Sequence, residues 1–203
     1  MKLPSKYLEK AVEELSSLPG IGKRTALRLA LNLLNRTEVE IETFARSLTD
    51  MKEFLKNCNK CHNVSDAEVC SICNNPKRDL TTICIVEDIR DILAIEATDT
   101  FKGGYHVLGG VISPMDGIGP SDLNISALLD RIENGAITEI IFALSPTMEG
   151  DTTNYYLFKK LCNKEILITC LSRGVSVGTE LQYADENSLG KSLLYRQPFK
   201  TNS

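Results

Sequence analysis

The amino-acid sequence predicts a multidomain α/β protein, with a helical N-terminal module, a small four-cysteine module, an α/β domain with a mostly parallel sheet, and a C-terminal arm. Three observations carry that class. Apolar residues recur at helical spacing through the first 56 positions. Cys58, Cys61, Cys70 and Cys73 then form CxxC–x8–CxxC. From residue 82, short apolar runs alternate with helical patterns, the arrangement of parallel strands joined by right-handed crossovers. The expected boundaries are 1–56, 57–78, 79–173 and 174–203.

The N-terminal module begins with a helix over 5–17, its apolar face set by Leu8, Val12 and Leu15, and resumes at Lys23 with Leu27, Leu31 and Leu34 at the same spacing. A third helical pattern covers about 39–56, with Ile41, Phe44, Leu48, Met51 and Leu55. Between the first two helices lies Leu18-Pro19-Gly20-Ile21-Gly22. Pro19 ends the first helix, and the glycines let the backbone turn and present free N–H groups at the start of the second. A helix N-terminus of that kind accepts an anion, and a nucleic-acid phosphate fits it. Lys23, Arg24 and Arg28 add positive charge there, Arg24 and Arg28 sharing a face at i, i+4. The combination favours phosphate binding by Gly20, Gly22, Lys23, Arg24 and Arg28 over a plain helix–turn–helix corner. GIGKRT is not a nucleotide-binding P-loop, because Ser17 stands where its first glycine is required, Arg24 replaces the Ser or Thr, and a helix precedes it.

The four cysteines offer two thiolate pairs, which suit one tetrahedral Zn²⁺. Four protein sulfurs leave no position for water, so the site is structural and not catalytic. Reduced pairs or two disulfides are the alternative. His62, beside Cys61, is read as a neighbour of a site already complete. Cys84, Cys162 and Cys170 fall in apolar or helical stretches without regular spacing and are expected to be small buried hydrophobes of a reduced cytoplasm.

In the α/β part, strands are expected at 82–87, 105–110, 139–145 and 165–172, and helices at 88–97, from a cap at Asp122 to Asn134, and at 152–163. Glu87 ends the first strand, and Ser145-Pro146-Thr147-Met148-Glu149-Gly150-Asp151 follows the third. Loops past the carboxyl ends of parallel strands are where such sheets place their sites. A metal-dependent phosphoryl-transfer site would need several carboxylates converging there. Glu87, Glu149 and Asp151 are the candidates, with Asp88 and Asp91 nearby. The alternative is that these acids cap the following helices, whose dipoles favour them.

The chain has 203 residues, 42% of them hydrophobic, and a net charge of −4, which a zinc tetrathiolate would make more negative by two. That balance argues against a stand-alone, tight nucleic-acid binder and requires any DNA contact to be concentrated in one patch. With no tryptophan, base stacking is not the main device. No stretch resembles a signal peptide, and no apolar run reaches the ~18 residues that span a membrane; a cytoplasmic protein is expected.

LPGIGKRTALRLALNLL, CxxC–x8–CxxC, CIVE, SPMDGIGP, SPTMEGDTTNYYL and GVSVGTEL together, in order along essentially the whole chain, resemble the RecR family of bacterial recombination mediators. The resemblance implies a helix-hairpin-helix, a four-cysteine zinc module, a Toprim domain and a C-terminal arm. It also implies a ring-shaped homotetramer and partnership with RecO, and in some settings RecF, in loading the recombinase onto single-stranded DNA coated by single-strand-binding protein. Catalytic Toprim domains pair a strand-end Glu with a DxDxxG-type motif. Glu87 matches the Glu, but Ser145 and Thr147 occupy the two Asp positions, so the resemblance implies mediation without catalysis. In the hairpin, Arg24 stands where the family usually has Lys, and Arg28 at its Arg. Glu87, Glu149 and Asp151 become a partner-binding acidic site facing RecO. The rival readings are a Mg-dependent Toprim nuclease or primase-like enzyme, which the missing Asp pair opposes, and a zinc-stabilised regulator, which a backbone-contacting hairpin opposes.

Overall fold

The computed structural model describes residues 3–175, 178, 180–196 and 198; the remainder of the expected arm lies outside the described residues. The chain divides into two compact units, Met1–Leu55 and Lys56–Ser203.

The first unit holds α1 (Lys6–Ser16), α2 (Lys23–Leu34) and α3 (Glu38–Phe54). Ser5 caps α1 by accepting the Tyr7 N–H, and Thr37 with Glu40 forms a reciprocal capping box on α3, each satisfying amide groups that a helix start leaves unpaired. The α1–α2 contact departs from the periodicity reading. Its buried residues are Val12, Ala26 and Ala30, with Leu8, Leu15, Ile21 and Leu27 packed around them, whereas Leu31 and Leu34 are exposed. Alanines at i and i+4 let the two helices approach closely, and that approach rotates the leucine row outward. Helix α3 buries no residue: Phe44, Leu48 and Met51 all face solvent in the single chain.

In the second unit, β1 (Lys56–Asn57) and β2 (Val64–Ser65) form a short antiparallel ribbon. The sheet follows with β3 (Asp79–Val86), β4 (Gly103–Val107), β5 (Glu139–Phe142) and β6 (Leu167–Cys170), in the order β4-β3-β5-β6 and all parallel. The helices α4 (Ile89–Glu96), α5 (Ile125–Asn134) and α6 (Met148–Leu161) alternate with the strands, and α7 (Glu186–Leu194) lies in the tail. Strand alternation divides β3 between two cores. Ile83 and Ile85 pack with Leu128 and Ile132 of α5 and Leu157 and Leu161 of α6. Cys84 and Val86 face the other way, with Tyr105, Val107 and Ile92 of α4.

Three local expectations are corrected. Asp122 does not cap a long helix; it closes a 3₁₀ turn by accepting the Gly119 N–H at 2.7 Å, and α5 begins at Ile125. Helix α6 starts a turn early, at Met148, because Thr147 caps it by accepting the Gly150 N–H at 3.1 Å. Cys84 is buried as expected, but Cys162 and Cys170 are exposed, since Cys162 sits just past α6 and Cys170 ends edge strand β6. Among the described residues, no helix is long and apolar enough to cross a membrane.

Candidate metal centre, hairpin and acidic site

The four cysteines come together as two turns. The first turn is closed by His62 N–H to Cys58 O (2.9 Å) and by Cys58 N–H to Asn63 O (2.8 Å), with His62 at φ 61°. The second is closed by Asn74 N–H to Cys70 O (3.0 Å). The ligand sulfurs all lie within 4.8 Å of one another. Cys61 Sγ and Cys70 Sγ are 3.6 Å apart, too far for a disulfide and close to the ~3.8 Å edge of a tetrahedron with Zn–S bonds of ~2.3 Å. Peptide N–H groups already point at the sulfurs, from Cys70 to Cys58 Sγ at 3.3 Å and from Cys73 to Cys70 Sγ at 3.4 Å. Burial pushes the Cys58 thiol up, but the N–H groups of Cys70, Lys60 and Cys61 bring it below its ordinary value. A hydrogen bond from the Cys61 thiol, then one from Cys70, hold Cys73 down to about 6. A donor set of four converging sulfurs, with amides preorganised for thiolate, fits one structural zinc.

His62 stays a neighbour. Its ring stands edge-on to that of His106, with centroids 5.4 Å apart. His106 is fully buried, with Nε2 2.9 Å from the Asn124 carbonyl, and burial pushes it down to about 4, so it is neutral. The Val107 N–H donates to the Cys61 carbonyl at 2.8 Å, tying the metal module to the end of β4.

At the hairpin, Gly20 takes φ 80° and the Ile21 N–H returns to the Leu18 carbonyl at 3.1 Å. Gly22 is the N-cap of α2 with ordinary extended geometry (φ −78°), and no side chain caps the helix. The first intrahelical bond is Ala26 N–H to Gly22 O at 2.9 Å, so the preceding amides face outward beside the exposed Lys23, Arg24 and Arg28. The two glycines therefore act differently. Gly20→Ala is expected to cost about 1 kcal/mol, the penalty of a left-handed non-glycine residue. Gly22→Ala, with open space around a Cβ, should cost only about 0.5 kcal/mol, because alanine is a poorer N-cap than glycine. Hydrogen exchange of the α1 and α2 amides in the full chain measures both; equal losses would mean that φ at Gly20 is not what the turn requires.

The acidic residues separate. Glu87 follows β3, and Glu149 sits in the first turn of α6; both line one shallow depression with Asp88, Asp116, Ser145 and Thr147. Burial first, then the nearby Asp91 and Asp88 charges, raise the Glu87 carboxyl above its ordinary value. Asp88 and Asp91 cap α4 in a reciprocal box, so for that pair the capping alternative holds. Asp151 is turned elsewhere. It forms a two-pronged ion pair with Arg173, one arm at 2.9 Å, which holds it below the usual carboxylate range. Gly150 permits this loop, because a Cβ there would lie 2.0 Å from the Ser145 carbonyl oxygen. Sequence reasoning missed Thr153, whose fully buried hydroxyl accepts the Ile112 N–H at 2.8 Å and donates to the Glu149 carbonyl at 2.7 Å, locking the two loops together. A threonine at the second position of an expected helix carries no signal for that bond. Among the described residues, the cysteines are the one group of three or more Cys, His or acidic side chains close enough to share a metal.

Four family models match in succession: the RecR helix-hairpin-helix over residues 8–52, the RecR four-cysteine zinc finger domain over 55–75, the Toprim domain over 81–172 and the RecR C-terminal region over 174–197. The chain is 56% identical over 200 residues to a recombination protein RecR of Flavobacterium johnsoniae, covering 98% of this chain and 97% of that protein. It is 55% identical over 196 residues to one from Bacteroides thetaiotaomicron, covering 97% and 96%, and 52% identical over 198 residues to one from Porphyromonas gingivalis, covering 98% and 96%. With its hairpin, its four-sulfur centre and its parallel sheet matched in order over nearly the whole length, the chain belongs to the RecR family of recombination proteins.

Proposed function

We propose that this chain is a non-enzymatic, DNA-binding mediator of recombinational repair. In this reading it assembles into a tetrameric ring, engages RecO and in some settings RecF, and helps load the recombinase onto single-stranded DNA covered by single-strand-binding protein. It works in the cytoplasm, on the nucleoid when bound to DNA. The observation that carries the reading is the pairing of an open, arginine-flanked hairpin with a Toprim loop stripped of metal ligands. Ser145 and Thr147 bring hydroxyls where carboxylates would hold a hard cation, and Asp151 is committed to Arg173. Glu87 and Glu149 remain as a negative surface suited to a basic partner. Self-association has support of its own, because the apolar side chains of Leu31, Leu34, Phe44, Leu48, Leu193 and Leu194 face water in one chain. A ring also multiplies the few phosphate contacts of each hairpin, an avidity that an acidic chain needs.

Filament assembly by the recombinase on coated single-stranded DNA, with RecO present, tests the whole reading. The wild-type chain should accelerate assembly. Glu149→Lys should abolish both acceleration and RecO capture while leaving DNA binding intact; Asp151→Lys also breaks the Arg173 pair and is the less specific variant. No strand cleavage, joining or synthesis should occur with Mg²⁺ or Mn²⁺. Metal-dependent activity that purifies with the wild-type chain and disappears in Glu87→Gln would establish the enzyme reading instead.

A further inference from the structure

A zinc ion held by four thiolates carries a net charge of two minus, here enclosed by cysteines that are at most 3% exposed. Taking such a charge out of water costs several kcal/mol unless dipoles or a counter-charge face it. The peptide N–H groups from Cys70 and Cys73 supply dipoles. A cation stands outside the module, on the neighbouring helix. Arg131, half-buried on α5, sends Nη1 to the Tyr105 carbonyl at 2.6 Å. Tyr105 lies two residues before Val107, the strand residue bonded to the Cys61 carbonyl. Gly104 makes room, since a Cβ there would lie 3.3 Å from Arg131 Nη2.

Arg131 has no carboxylate partner among the described residues. The neighbouring cation Arg78, by contrast, is spent on Glu96 and the Gly103 carbonyl. The Leu108 N–H faces β3, so the Tyr105 carbonyl and the Val107 N–H share the other edge of β4, and the guanidinium stands on the edge where the cysteine module is bonded. A half-buried guanidinium without a carboxylate thus shares the β4 edge with a buried four-sulfur centre.

We propose that Arg131 is the counter-charge of the zinc centre, a positioning residue of the α/β domain that retains the metal from outside its ligand shell. The zinc module and the sheet are thereby coupled by charge as well as by the Val107–Cys61 hydrogen bond.

Zinc transfer from the full-length chain to excess 4-(2-pyridylazo)resorcinol, at fixed salt and temperature, tests this. Arg131→Met should release zinc about tenfold faster than wild type, the lower end of what losing an outer-shell partner costs. Arg131→Gln, which keeps a donor for the Tyr105 carbonyl, should behave like Met, and Arg131→Lys should restore most of the retention. Ile132→Ala supplies the control, since it loosens the same helix from the core without changing charge; it should stay within about twofold of wild type. The proposal is overturned if Gln retains zinc like wild type, if Lys releases it as fast as Gln, or if Ile132→Ala releases it as fast as Gln. The comparison of Gln with Lys stands even if the Met chain does not fold.

Discussion

Removing zinc from the reduced chain, or replacing Cys61 and Cys73 together by Ser, should unfold the segment from Lys56 to about Arg78. The reason is local. The ribbon of β1 and β2 is two residues per strand, and the packed centre of the module is the four cysteines with Val69 and Ile72 against them. That apolar content cannot offset the ordering entropy of some twenty residues at about 1–2 kcal/mol each. Zinc binding, worth about 10 kcal/mol or more in comparable structural sites, is therefore the folding energy of the segment. Elemental analysis should give about one zinc per chain, and chelation should expose the amides of Cys58, Cys70, Cys73 and Asn74 to exchange while the sheet core stays protected. Less than half the expected metal in freshly prepared reduced protein, with all seven thiols reactive, would refute a structural zinc.

Replacing Arg24 and Arg28 together by Ala should weaken DNA binding by about ten- to a hundredfold near physiological salt, equally for unrelated sequences. Both side chains flank outward-facing amides at an uncapped helix start, a place for phosphate and not for base edges. Each phosphate contact contributes close to one to the slope of log affinity against log salt, so the double variant should flatten that slope by about two for every hairpin engaged. Equilibrium titrations at four or five salt concentrations read both quantities. A folded double variant with unchanged affinity and slope would move the DNA site away from the hairpin.

What could be read in advance divides along the range of the interactions. The cysteine spacing specifies its own geometry, because each pair closes through bonds within a few residues. The strand–helix alternation likewise needed only local pattern, and Glu87 fell at a strand end where the sheet puts it. The failures involve partners distant in sequence. Leu31 and Leu34 have the right period, yet whether they or Ala26 and Ala30 face α1 depends on how closely the two helices approach. The early start of α6 is the local exception: Thr147 caps it, and the Ser145 carbonyl leaves room only for glycine at position 150. Asp151 looked free until Arg173, 22 residues on, closed on it. Arg131 had no visible role, because its surroundings are assembled from β4 and the cysteine module.

The bond from Thr153 to Ile112 has a consequence for recognition kinetics. It ties the start of α6 to the loop after β4, while the close approach at Gly150 removes the slack that a larger residue would require. The rim holding Glu87 and Glu149 is therefore moulded before anything meets it. In the proposed reading, a basic partner would dock against a finished surface, lose only its own freedom, and associate at a rate set by diffusion and charge steering, without waiting for a loop to order. Salt should then slow arrival at this rim much more than it hastens departure.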